Sequence, residues 1–181
     1  MNKKLRWFSK PDSAHLVQFY SDETALLQPL FEYIRTGLVH GHTCVVIATR
    51  NHVAELNKML INDNMNIKRL QDNGQYLTFD AAETLSKFMV NGLPDQKLFS
   101  ETVGSVIERA IEKGAAVRAY GEMVAVLWKA GNKEGVIQLE NIWNELGDKH
   151  SFSLYCAYPE LHFLSYGNDL SKISNCHTIT V

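Results

Sequence analysis

Short β-type runs that alternate with stretches of helical period set the narrowest limit on how this chain can fold. His15-Leu16-Val17-Gln18-Phe19-Tyr20 opens the series, and Ser21-Asp22-Glu23 behind it reads as a helix cap and first turn. Leu26, Leu27, Leu30, Phe31, Ile34 and Leu38 then recur at helical spacing, with Gly37 as the expected stop. Pro29 lies inside that pattern and removes one intrahelical hydrogen bond, so a kink or a late start is expected. Thr43 to Ala48 is apolar enough for a strand buried on both faces, and Asn51 behind it can cap a helix bearing Val53, Leu56 and Leu60.

The alternation continues. Tyr76 to Asp80 is the third strand, with helical segments at about 82–89 and at Gln96 to Lys113, broken at Asn91-Gly92-Leu93-Pro94. Phe99, Val103, Val106, Ile107 and Ala110 share one face of the second segment, which ends at Gly114. Ala116 to Gly121 is the fourth strand, followed by a helix from Glu122 to Lys129. Asn132 can cap the next helix, whose apolar positions are Val136, Leu139, Trp143 and Leu146. Phe152 to Ala157 is the fifth strand. Successive βαβ units predict an α/β three-layer sandwich with a mostly parallel central sheet of at least five strands. Beyond Pro159, Leu161 to Tyr166 is apolar and Ile173 to Val181 suits an extended segment.

Length and charge remove several function classes. A chain of 181 residues with 45% hydrophobic content holds one substantial core, so a single domain over 13–181 behind a tail at 1–12 is expected. The formal net charge of −2 gives no footprint for nucleic acid or an anionic membrane. Lys3, Lys4 and Arg6 form a short basic cluster that reads as a solvated tail. No apolar run approaches the roughly 20 residues that span a bilayer, and no apolar signal-peptide core is present, so a cytoplasmic location is expected. Cys44, Cys156 and Cys176 are odd in number and far apart, which argues against a disulfide framework.

Polar groups interrupt one strand pattern. Val117-Arg118-Ala119-Tyr120-Gly121-Glu122-Met123 places Arg118, Tyr120 and Glu122 at alternate positions, hence on one side of a strand. Buried charges cost free energy unless paired or used. Either Arg118 pairs internally with Glu122 or Asp80, or the run walls a site. Ligands of open parallel sheets bind beyond the strand carboxyl ends. The ends here supply Tyr20, Ser21 and Asp22, then Thr49 and Arg50, Asp80, Tyr120 with Glu122, and Tyr158. That mixture of aromatic rings and both charge signs suits a small polar or amphiphilic ligand. No G-x-x-x-x-G-K-[ST] loop occurs, and after the first strand stand two carboxylates where a phosphate would need amides and a cation. Asp80 is placed like the magnesium-binding aspartate of nucleotide-binding sheets, but capping the next helix is its simpler role.

The remaining candidates point to no metal and no cofactor. His40-Gly41-His42 lies in a turn without a further ligand at suitable spacing. His15 and His177 would approach each other if the tail folded back. Cys156 could form a nucleophile pair with a histidine, against which its apolar strand argues. Trp128 and Trp143 read first as core, and second as a dimer surface or an aromatic wall.

A set of residues taken in order resembles a known family. These are His15-x-x-x-Phe19-Tyr20, the Gly37-Leu38 and Gly41 turn before Cys44-Val45-Val46-Ile47-Ala48-Thr49, Arg118-Ala119-Tyr120-Gly121-Glu122-Met123, Leu127-Trp128, Gly131-Asn132, Leu139-Glu140-x-x-Trp143-Asn144 and Cys156-Ala157-Tyr158-Pro159. Together they resemble the MEDS domain, the methanogen/methylotroph sensory domain of prokaryotic regulators and sensor kinases, from about residue 13 to the end. The resemblance implies a bacterial or archaeal source and a RecA/KaiC-like α/β fold without a phosphate loop. It also implies a non-enzymatic signal-transduction role in sensing a small organic molecule, such as a simple hydrocarbon derivative. By position, His15, Tyr20, Arg118, Glu122, Trp128, Asn132, Glu140, Trp143 and Tyr158 are its motif residues.

The expected ligand-binding set is therefore His15, Tyr20, Arg50, Asp80, Arg118, Tyr120, Glu122, Trp128 and Tyr158, with no catalytic residue. Output is expected through a signalling partner or a homodimer, and helices 122–130 and 132–148 are the expected reporters. The alternatives are a residual nucleotide-binding protein or hydrolase using Glu122 or Asp80, and a structural dimerisation module.

Overall fold

The computed structural model describes residues 14–160, 173 and 175–180. The basic cluster at Lys3, Lys4 and Arg6, the Leu161 to Tyr166 run and Val181 lie outside them. In chain order the elements are β1 (His15–Tyr20), α1 (Glu23–Val39), β2 (Thr43–Ala48), α2 (Arg50–Asn62), α3 (Ile67–Asp72) and β3 (Tyr76–Asp80). Then come α4 (Ala81–Ser86), β4 (Met89–Val90), β5 (Leu93–Pro94) and α5 (Gln96–Phe99). A π-helical turn (Ser100–Gly104) joins α5 to α6 (Ser105–Glu112). The chain continues through β6 (Val117–Gly121), α7 (Met123–Lys129), α8 (Lys133–Lys149), β7 (Ser153–Pro159) and β8 (Ile179–Thr180).

The main sheet has six strands in the order β3-β2-β6-β7-β1-β8, and every pairing in it is parallel. A parallel sheet buried on both faces calls for strands that are apolar throughout, and β2 is buried at every position. Alternate strand residues feed two cores. Val17, Val45, Ile47, Ala119, Cys156 and Tyr158 pack with α4, α6, α7 and α8. Leu16, Tyr20, Val46, Tyr120, Tyr155 and Ala157 pack with α1 and α2.

Several local expectations are corrected by tertiary contacts. Helix α1 runs through Pro29, whose missing N–H would have bonded the carbonyl of Ala25. Gln18 Nε2 on β1 donates to that carbonyl at 2.7 Å, so the sheet supplies the absent bond. Helix α1 does not stop at Gly37 but continues to Val39. A Cβ on Gly37 would stand 2.8 Å from both Arg118 Cδ and Cys44 Sγ, so the glycine serves a close approach. Thr49, not Asn51, caps α2, while Asp22, Asp80 and Asn132 cap α1, α4 and α8. The break at residues 91–94 is a small antiparallel hairpin, β4 to β5, turned through Asn91 and Gly92 at positive φ. Ile173, expected in an extended segment, lies in helical backbone and is buried; the extended part of the tail is β8. Trp128 and Trp143 are core residues and offer no dimer surface.

Candidate functional site

The connections leaving β2 and β6 diverge, one to each face of the sheet. From β2 the chain passes through α2, on the α1 side of the sheet, and then out to the edge strand β3. From β6 it passes through α7, on the opposite face, toward β7. Adjacent parallel strands whose helices leave on opposite faces form the switch point at which open α/β sheets bind ligands. Glu122 sits there, 1% exposed, with its own amide bonded to the Ile47 carbonyl at 2.8 Å.

The Glu122 carboxylate is met from several elements. The Thr49 amide donates to Oε2 at 2.8 Å, and His52 Nδ1 of α2 lies 2.7 Å from Oε1. His52 Nε2 lies 2.6 Å from Glu23 Oε2 at the start of α1. Both imidazole nitrogens thus face carboxylate oxygens, an arrangement that favours the doubly protonated ring. The hydrogen bond to Glu122 is the main reason that the His52 pKa is raised; burial opposes it, and the charges of Glu122 and Glu23 reinforce it.

Tyr20 and Tyr120 complete this group. Both hydroxyls are buried and neither has a hydrogen-bond partner among the described residues. Burial, then the charge of Glu122, pushes both phenols above their ordinary range, so they remain protonated donors. Two donors without acceptors beside a carboxylate can take a ligand oxygen, at little risk of ionising themselves.

Other expected site residues lie elsewhere. Arg118 does not pair with Glu122 or Asp80. Its register partner is Cys44 near the start of β2, while Glu122 binds Thr49 just past the end of β2, so the two charges occupy opposite ends of the sheet. Arg118 Nη1 donates to the Tyr33 carbonyl at 2.8 Å, Nε lies 3.2 Å from His42 Nδ1, and the guanidinium stands 5.0 Å from the Tyr33 ring centroid. Arg50, its side chain 84% exposed, pairs with Asp80 at 3.2 Å. The two line an open groove of about 260 Å³ with Val53, Asn57, Thr78 and Phe79. Asp80 also caps α4 through Glu83 N at 2.8 Å. A larger shallow hollow around Asn66 and Arg69 holds none of the candidates.

His15 and Tyr158 belong to a second buried polar group on the α8 side. Glu140 of α8 is fully buried, accepts from the Tyr158 hydroxyl, and has His15 Nε2 and His177 Nε2 each at 3.3 Å. Burial raises its carboxyl, but hydrogen bonds and charge from His15 and His177 outweigh this and hold it well below the ordinary range. Cys156 Sγ stands 3.4 Å from His15 Nε2, and burial, then Glu140, pushes that thiol up. Trp128 meets the Tyr158 ring edge-on at 6.0 Å. Sequence reasoning missed His52 and left Glu140 and His177 out of the site. The signals were His52 in the first turn after β2 and a glutamate on the apolar face of α8.

Parallel pairing, strand order and helices on both faces define an α/β sandwich of the KaiC-like RecA fold. A solved KaiC-like protein of the hyperthermophilic archaeon Pyrococcus horikoshii OT3 is similar, with a TM-score of 0.59 and 14% identity over 82% of this chain. The match spans 64% of that protein's length, and at this identity it shows the fold alone. The profile of the MEDS family, the methanogen/methylotroph, DcmR sensory domain, matches residues 14–178, and the chain belongs to that family. No curated protein matches it. Among the described residues no helix is long and apolar enough to cross a membrane.

Proposed function

We propose that this is a non-enzymatic sensory module of signal transduction that binds a small organic molecule at the carboxyl ends of β1, β2 and β6. The observation that carries the reading is the pair of buried, unpartnered hydroxyls, Tyr20 and Tyr120, at the switch point beside Glu122. Leaving a buried donor unsatisfied costs about 1–3 kcal/mol, and a ligand oxygen would recover that cost. The residues packed around the two hydroxyls in the α1 and α2 core are apolar, which favours a short hydrocarbon chain bearing such an oxygen. Occupancy changes the protein only through differential affinity for two arrangements. The elements placed to differ are α1 and α2, whose Glu23 and His52 close over Glu122. Glu122 leads directly into α7, which couples the crevice to the opposite face and from there to a signalling partner or a second copy.

A thermal-shift panel tests this with small alcohols, ketones, amines and halogenated hydrocarbons beside ATP with magnesium. Stabilisation by an organic molecule, lost in Tyr20→Phe and in Glu122→Gln, is the expected result. Stabilisation by nucleotide alone overturns the reading and favours a residual nucleotide-binding protein.

A further inference from the structure

His15, Glu140, Cys156 and His177 offer one ligand atom each within 4.8 Å of one another, from β1, α8, β7 and the tail. We propose that these four side chains form a closed, tetrahedral site for a borderline-soft divalent cation, Zn²⁺ first, which fastens the tail to the sheet. The site lies on the α8 side and does not rest on the sensory reading.

The hydrogen bonds around the cluster fix how it presents itself. His177 Nδ1 is 2.7 Å from the Ile173 carbonyl, which can only accept, so Nδ1 carries the proton. Asn144 Nδ2 donates to the Cys176 carbonyl at 2.9 Å, which turns Asn144 Oδ1 toward His15 Nδ1 at 2.8 Å. His15 Nδ1 is therefore also the N–H. With Nδ1 so engaged, both rings turn Nε2 toward the same point, as an outer hydrogen bond does in orienting a metal-binding histidine.

The two Nε2 atoms face Glu140 oxygens at 3.3 Å each, so one ion seated among them would meet both rings and the carboxylate. The ring centroids are 4.1 Å apart, which brings the two histidines close enough to share a single ion. A tetrahedral Zn²⁺ with Zn–N near 2.0 Å and Zn–S near 2.3 Å sets its ligand atoms roughly 3.3–3.6 Å apart. The histidine nitrogens stand 3.3 Å from Glu140 oxygens and His15 Nε2 stands 3.4 Å from Cys156 Sγ; Sγ to Glu140 Oε2 is 4.0 Å.

The donor set selects the ion. Two imidazoles and a thiolate disfavour Mg²⁺ and Ca²⁺, which take oxygen ligands. Binding releases the Cys156 proton to solvent, and two neutral histidines, a thiolate, a carboxylate and Zn²⁺ sum to no net charge, as a buried site requires. A cavity of about 120 Å³ lies beside the cluster and is lined by His15 and by Asn144, which holds the His15 ring.

Cobalt substitution of the full chain, reduced with a non-chelating phosphine, tests the proposal. One Co²⁺ per chain should bind, with a near-ultraviolet thiolate-to-metal band that Zn²⁺ abolishes. That band should vanish in Cys156→Ser and persist in Cys44→Ser and Cys176→Ser, and Asn144→Ala should weaken Zn²⁺ affinity about tenfold or more without moving it. Absence of saturable binding, or a band that follows Cys176 instead, overturns the site. Should Cys156→Ser not fold, X-ray absorption at the zinc edge of the wild-type chain decides. One sulfur with three nitrogen or oxygen ligands is expected; two sulfurs, or none, contradicts it.

Discussion

Tyr20 and Tyr120 carry hydroxyls that the folded protein leaves unanswered, and two expected outcomes follow from the residues around them. Tyr20→Phe removes an unsatisfied buried donor, so stability without ligand should hold or rise by up to about 1 kcal/mol in urea unfolding. The same variant should lose the ligand-dependent rise in melting temperature. His52 gives a pH dependence of definite sign. Its folded pKa is raised above the unfolded value near 6.5, so its contribution is complete below about pH 6.5 and declines as pH rises through the folded pKa. Unfolding free energy measured from pH 6 to 9 should fall, and His52→Gln should flatten the fall. The groups that face the imidazole are Glu122 and Glu23. Glu122 was legible in the sequence because a carboxylate ends an otherwise apolar run. His52 was not, because its role depends on Glu122 reaching the turn after β2 across 73 residues of chain.

Elements were legible where local signals and tertiary contacts agree. The β1 to β7 alternation follows from apolar periodicity and caps, and Asp80 and Asn132 cap the helices they precede. Gly37 and Pro29 were misread because both answer to contacts from outside their own helix, from β1, β2 and β6. Gln18 donates to Ala25 O and accepts from the Tyr155 hydroxyl. Gln18→Leu should therefore cost about 1–3 kcal/mol, and in a Pro29→Ala background, where residue 29 can bond Ala25 O itself, the cost should drop by about 1 kcal/mol. A double-mutant cycle in urea reads that difference. Gly37→Ala places a Cβ 2.8 Å from Cys44 Sγ and Arg118 Cδ. Crowding of this kind should outweigh the helix preference for alanine and destabilise by about 1–2 kcal/mol, with partial recovery when Cys44→Ala is added. Arg118 was grouped with Tyr120 and Glu122 in the expected ligand set because side-chain parity gives the face of a sheet and says nothing about which end the long side chain seeks.

At the scale of the whole molecule, the sheet separates two polar groups that the sequence reading had merged. Tyr20, Tyr120, Glu122 and His52 lie toward α1 and α2 at the strand carboxyl ends, whereas His15, Glu140, Cys156, Tyr158 and His177 lie under α8. Strand parity could sort β1 and β7 residues onto faces, but no spacing rule links His15 to Glu140 or His177, since the strand order brings them together. Their separation predicts independence: Glu140→Gln should disturb tail anchoring while leaving ligand-dependent stabilisation in place, and Tyr20→Phe should do the reverse, read by thermal shift with and without Zn²⁺. The sensory assignment itself is tested most directly by a crystal structure of the protein with the organic molecule that stabilises it most. The account predicts density for that molecule within hydrogen-bonding reach of the Tyr20 and Tyr120 hydroxyls. Density confined to the Arg50 and Asp80 groove, or a nucleotide phosphate seated at Ser21 to Glu23, would contradict it.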